Sequence, residues 1–275
     1  MRRLTQVDVF AEDRYHGNPL AVVHDAEGLT DEQMARFSDW TNLSETTYLL
    51  APTHPEADYR VRIWSRDREL AFAGHPTLGS AHAWLQAGGT PRSPDRLVQE
   101  CGAGLVELRR EPRLAFAAPP LVRSGPVDAE TVVRIAAALD VDADEFVDLA
   151  WIDNGPGWVG VLMRDAGVVL AVEPDFRAFD GLDIGIVGPH PDPASAGAHV
   201  EVRGFDATVG EDPVTGSLNA SIGQWLTGNG TLPASYVASQ GTRLGRTGRV
   251  HIDRDGDTVW VGGNVITCVR GEVLI

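Results

Sequence analysis

The chain of 275 residues contains no lysine, and all 23 of its basic residues are arginine. That absence excludes Schiff-base chemistry, a pyridoxal-phosphate lysine and the lysine of a P-loop. Cysteine is almost missing too. Cys101 and Cys268 stand alone, outside any Cys-x-x-Cys spacing, which gives no basis for a disulfide framework or a thiolate metal site. The eight histidines form neither a His-x-x-x-His nor a His-Glu-x-x-His pattern, so the sequence argues for no metal. No apolar run approaches the length that spans a bilayer. A net charge of −16 and a pI near 4.8 oppose binding to a nucleic-acid backbone or an anionic membrane surface. Met1-Arg2-Arg3-Leu4 leads directly into an alternating pattern without the apolar stretch of a signal peptide, so a cytoplasmic protein is expected. What remains is chemistry by carboxylates, histidine and backbone dipoles.

The patterning is strand-rich. Leu4–Phe10 and Pro19–Val23 read as strands around the turn residues Gly17-Asn18. Thr30-Asp31-Glu32-Gln33 is a capping box and predicts a helix to about Trp40. Strands are expected at Thr46–Ala51, Tyr59–Trp64, Trp158–Met163, Val168–Val172 and His199–Phe205, with a further helix near Asp128–Leu139. Ala118–Pro126 is rich in proline and glycine and reads as a linker. Strands and helices do not alternate as in a β-α-β nucleotide fold. Gly102-Ala103-Gly104 and Gly155-Pro156-Gly157 also lack the third glycine of a dinucleotide fingerprint. The fold class is therefore read as α+β.

Two segments echo each other about half a chain apart. Gly74-His75-Pro76-Thr77-Leu78-Gly79-Ser80 and Glu211-Asp212-Pro213-Val214-Thr215-Gly216-Ser217 share His/Asp-Pro-x-x-Gly-Ser, and each runs into an apolar stretch. Proline suits the first helical position, so the echo predicts helices over Pro76–Gln86 and Pro213–Thr227, capped by His75 and Asp212. Two such starts facing one cleft would offer unpaired backbone N–H groups to a small carboxylate. His75 and Asp212 are thus either plain caps or proton-handling groups, with His75 held neutral by the helix dipole. Glu45, just before a strand of β-branched residues, is either solvated or a desolvated acid/base. Ser80 and Ser217 either donate to a ligand or serve as small packing residues, and no Gly-x-Ser-x-Gly elbow marks Ser217 as a nucleophile. Cys101 and Cys268 read as structural.

Gly17-Asn18-Pro19, Ser44-Glu45-Thr46-Thr47, Gly74-His75-Pro76-Thr77-Leu78-Gly79, Gly210-Glu211-Asp212-Pro213-Val214-Thr215-Gly216-Ser217 and Gln240-Gly241-Thr242 occur in this order. Together they resemble the phenazine-biosynthesis PhzF-like family. The resemblance implies a diaminopimelate-epimerase-like fold, two similar lobes each a strand-rich barrel around a central helix. With the Pro/Gly-rich linker as the boundary the lobes are expected at 1–122 and 127–263, and the resemblance implies that a last strand at about 264–275 completes the first. It also implies a homodimer without a cofactor, and isomerisation of trans-2,3-dihydro-3-hydroxyanthranilate or a related small carboxylate. By resemblance Glu45, His75 and Asp212 are catalytic, and Gly74, Gly216 and Ser217 bind substrate. Related epimerases carry cysteines at the two helix starts, which puts two-thiol racemisation in doubt here. An amino-acid epimerase or racemase, or a non-catalytic carboxylate-binding protein of the same fold, are the alternative readings.

Overall fold

Alternating apolar residues build strands through both halves of the chain. The computed structural model describes residues 1–207 and 210–275, which divide into two compact units. The first is Met1–Ala117 with Gly262–Ile275. It runs β1 (Arg2–Val9), β2 (Asn18–Val23), α1 (Asp31–Thr41), β3 (Thr46–Leu50), β4 (Tyr59–Ser65), β5 (Arg68–Leu70), α2 (Gly74–Gln86), β6 (Arg96–Cys101), β7 (Gly104–Arg109) and β8 (Ala115–Ala117). The second unit is Ala118–Val261. It begins with β9 (Arg123–Pro126), α3 (Ala129–Leu139), β10 (Phe146–Asp153), β11 (Trp158–Met163), α4 (Ala166–Ala171), β12 (Asp183–Pro189) and α5 (Pro193–Ala196). It continues with β13 (Val200–Asp206), β14 (Gly210–Asp212), α6 (Gly216–Gly228), β15 (Ser235–Gln240), β16 (Gly248–Asp255) and β17 (Thr258–Gly262). A final strand, β18 (Val265–Val273), belongs to the first unit.

The two units repeat one order of strand pairing. In the first, β1–β2 is antiparallel, β2–β3 parallel, β3–β4 and β4–β5 antiparallel, β4–β6 parallel and β6–β7 antiparallel. In the second, β10–β11, β11–β12, β12–β13, β13–β14, β13–β15 and β15–β16 follow the same sequence of directions. Each unit therefore has a hairpin leading into one apolar helix, α2 or α6, after which the chain returns parallel to the first strand of that hairpin. β18 pairs antiparallel with the free side of β1.

Both helices are apolar nearly all round, the pattern of a helix enclosed by its own unit. Close approach needs glycine. A Cβ on Gly79 would stand 2.5 Å from Leu20 Cδ2, and one on Gly185 only 2.2 Å from Leu218 Cδ1. Elsewhere local signals set the elements. Thr30 and Gln33 form the capping box of α1, and Asn42 ends that helix in the left-handed region at φ 57°. Asp128 caps α3 through Thr131 N–H.

Val168–Val172, expected as a strand, lies mostly in α4, because the Asp165 carboxylate caps Val168 N–H and starts a short helix. No helix among the described residues is long and apolar enough to cross a membrane, a test that does not bear on strands.

Candidate active site

In the first unit α2 begins two residues before the expected proline. Ala73 is extended (φ −152°, ψ 140°) and its carbonyl accepts from Thr77 N–H, so Gly74, His75 and Pro76 form the first turn. Proline is harmless there, since the first N–H groups of a helix have no intrahelical partner. His75 is thus inside the helix rather than its cap, and its side chain is only 7% exposed. Asn18, the first residue of β2, brings Nδ2 to 3.5 Å from His75 Nδ1. An amide nitrogen can only donate, so Nδ1 accepts and the ring proton sits on Nε2. That Nε2 faces Glu45 Oε2 at 3.4 Å.

Burial lowers the His75 pKa to about 3. The imidazole is neutral, and burial is the cause. The ring is therefore a weak base, and its Nε2 touches the Glu45 carboxylate without hydrogen-bond geometry. Glu45, just ahead of the buried β3, has a side chain only 16% exposed.

Neighbouring groups lock this arrangement. The buried Asp8 carboxylate accepts from His16 N–H at 2.8 Å and Gly17 N–H at 3.0 Å, holding the turn that presents Asn18. A Cβ on Gly17 would lie 2.1 Å from the Val9 carbonyl oxygen, so the turn requires glycine. Beneath α2, Tyr59 Oη donates to Gln99 Oε1 at 3.1 Å and Gln99 Nε2 donates to Thr77 Oγ1 at 3.0 Å.

In the second unit α6 begins later than the echo implied. Asp212 closes β14, paired with Gly204, and stays extended. Thr215 is the N-cap, its carbonyl accepting from Asn219 N–H at 3.1 Å. Asp212 therefore precedes the helix and does not cap it, and Pro213 lies in the connecting turn. Its carboxylate accepts from Thr215 Oγ1 at 2.6 Å. Gly216 and Ser217 are the first two helical residues, so by helix register Gly74 matches Gly216 and His75 matches Ser217. Ser217 Oγ accepts from the Trp158 indole N–H at 3.1 Å, and its carbonyl from Asn154 Nδ2 at 3.0 Å. Just upstream, Arg203 forms a two-pronged pair with Glu211 at 2.9 Å per prong and donates to the carbonyls of Val169 and Val172.

Glu45 and His75 are brought together within the first unit, and Asp212, Gly216 and Ser217 lie within one short segment of the second. Asn18, Trp158, Thr215, Asn219 and Gln240 were not assigned roles from sequence. Asn18 and Gln240 lie in motifs quoted there, whereas nothing local marks Trp158. Burial raises the thiols of Cys101 and Cys268, the opposite of an activated nucleophile. No group of three or more His, Cys, Asp or Glu side chains forms a metal cluster among the described residues.

Known proteins share this chain's sequence and fold. The family described as phenazine biosynthesis-like protein matches residues 7–271. A trans-2,3-dihydro-3-hydroxyanthranilate isomerase of Pseudomonas aeruginosa is 31% identical, with all of both chains covered. Antisense-enhancing sequence 1 of Schizosaccharomyces pombe is 32% identical over 98% of each chain. Among solved structures, a PhzF-family protein of Enterococcus faecalis shares the fold at a TM-score of 0.82 and 21% identity, covering 100% of this chain and 99% of its own. A protein of Pseudomonas aeruginosa described as a predicted epimerase gives a TM-score of 0.80 and 26% identity over the whole of both chains.

Proposed function

The chain belongs to the phenazine biosynthesis-like (PhzC-PhzF) family and is an isomerase of that type. From that premise we propose that it moves a proton on a small carboxylate-bearing substrate, trans-2,3-dihydro-3-hydroxyanthranilate or a close relative, by general acid–base catalysis without a cofactor. Glu45 carries the proton. One carboxylate can take a proton from one carbon as base and return it to another as acid. The observation that carries this assignment is the pairing of Glu45 with a neutral imidazole. With its pKa lowered to about 3, His75 is too weak a base to compete near pH 7. Its Nε2 stands 3.4 Å from Glu45 Oε2, in contact but without hydrogen-bond geometry, and the buried ring packs against the carboxylate.

Asp212, Gly216 and Ser217 are assigned to binding of the same substrate. The first N–H groups of α6 have no partner within the helix, and such groups suit a carboxylate. Ser217 Oγ, already accepting from Trp158, keeps its own proton for donation. Two-thiol epimerisation lacks support. The second residue of each helix is His75 or Ser217, while Cys101 ends β6 and Cys268 lies in β18. A homodimer is part of the same reading and is checked by sedimentation equilibrium.

The assignment is tested by turnover of trans-2,3-dihydro-3-hydroxyanthranilate, comparing the native enzyme with Asp212→Asn and Ser217→Ala. A rise in KM in both variants is expected. Unchanged kinetics in both would remove the second set of residues from the site.

A further inference from the structure

Gln240, at the end of β15, controls the direction of a hydrogen-bond chain that ends on the Asp212 carboxylate. We propose that Gln240 and Thr215 are positioning residues that aim Asp212 and keep it charged for the reaction. This rests on the reading that Asp212 touches substrate.

The direction follows from donors whose chemistry allows no choice. Thr215 N–H can only donate, so the Gln240 atom 3.0 Å away is Oε1. The other amide atom is then Nε2, a donor, and it reaches Thr215 Oγ1 at 2.9 Å and the Asp212 carbonyl at 3.2 Å. Thr215 Oγ1 must accept from it, so its single proton goes to Asp212 Oδ2 at 2.6 Å. Asn219 reinforces the orientation, because its Nδ2 donates to Gln240 Oε1 at 2.8 Å and to the Thr215 carbonyl at 2.9 Å. Gln240 and Asn219 are fully buried, and Thr215 nearly so. A short hydroxyl-to-carboxylate bond in such surroundings is of the strong, charge-assisted kind.

The helix forgoes an ordinary feature to allow this. A threonine N-cap usually turns its oxygen onto the N–H groups of the first helical turn. At α6 no side-chain cap bond forms, and the hydroxyl points away from the helix to Asp212. The sheet makes room for it. A Cβ on Gly204, the ladder partner of Asp212, would sit 2.9 Å from Thr215 Oγ1. Gly241, at φ +91°, brings the chain after Gln240 so close that a Cβ would lie 2.5 Å from the Pro213 carbonyl. A helix cap alone requires none of these arrangements.

The test is a 13C NMR titration of aspartate-labelled full-length protein, with the Asp212 signal assigned by its loss in Asp212→Asn. Thr215→Val removes the hydroxyl at nearly constant shape, Thr215→Ser retains it, and Gln240→Met removes the upstream donor. Loss of a donor to the charged form raises a carboxyl pKa. The Asp212 midpoint should therefore rise by roughly one to two pH units in Thr215→Val and return towards the native value in Thr215→Ser. The acid limb of kcat/KM for trans-2,3-dihydro-3-hydroxyanthranilate should move with it. An unmoved midpoint in Thr215→Val overturns the relay. If the valine variant does not fold, an unmoved midpoint in Gln240→Met overturns it equally. A shifted midpoint combined with native kcat and KM in Asp212→Asn overturns the reading that Asp212 touches substrate instead, so the two failures are distinguishable.

Discussion

His75 Nε2 stands 3.4 Å from Glu45 Oε2, and burial makes this imidazole resist protonation down to about pH 3. In the unfolded chain the same ring binds a proton below about pH 6.5. Between these two values the unfolded state holds the extra proton, so stability rises with pH and is lost on acidification. From pH 8 to pH 5 the loss from His75 is about 2 kcal/mol. His24, lowered by burial to about 4, adds to it in the same direction. Urea unfolding at the two pH values should show a smaller acid loss in His75→Asn than in the native chain. Equal losses would mean that the imidazole is not held neutral.

The turn before β2 has no room for a side chain at Gly17. Gly17→Ala places a methyl 2.1 Å from the Val9 carbonyl oxygen, which forces the turn away from Asp8 and takes Asn18 with it. The cost in stability is expected at about 1–3 kcal/mol, together with a fall in kcat as His75 loses the partner of its Nδ1. Native kcat at reduced stability would separate Asn18 from the reaction.

The two arginine–glutamate forks occupy the same place in the two hairpins but differ in exposure. Arg203 and Glu211 have side chains 3% and 11% exposed, against 19% and 40% for Arg62 and Glu69. Arg203→Met leaves a buried carboxylate without its arginine and should cost about 3–5 kcal/mol. Arg62→Met should cost about 1 kcal/mol or less, as for a surface pair. Chemical denaturation of the two variants checks the ranking, and similar costs would contradict it.

How much of this was legible in the sequence depended on the range of the interaction. The α1 capping box is complete within Thr30–Gln33 and could be read directly. The α+β class followed from many short strands broken by few helices. The His/Asp-Pro-x-x-Gly-Ser echo found the two central helices but misjudged their starts. Pro76 lies inside a first turn and Pro213 in a connecting turn, and a proline tolerates both settings. Only the sheet decides, by pairing Asp212 with Gly204 and leaving Thr215 as the cap. Neutral His75 was expected, but its cause, enclosure by residues distant in sequence, was not visible. Asn18, Trp158 and Gln240 reach their partners across gaps of 57, 59 and 25 residues, which no local pattern reveals.

Proton transfer by Glu45 on a small carboxylate substrate is what every other assignment depends on. It is read by NMR of trans-2,3-dihydro-3-hydroxyanthranilate incubated with the protein in D₂O, with Glu45→Gln in parallel. Rearrangement with deuterium at the receiving carbon is expected, and turnover reduced roughly 10²–10⁴-fold in Glu45→Gln. Equal turnover by both proteins would remove Glu45 from the reaction.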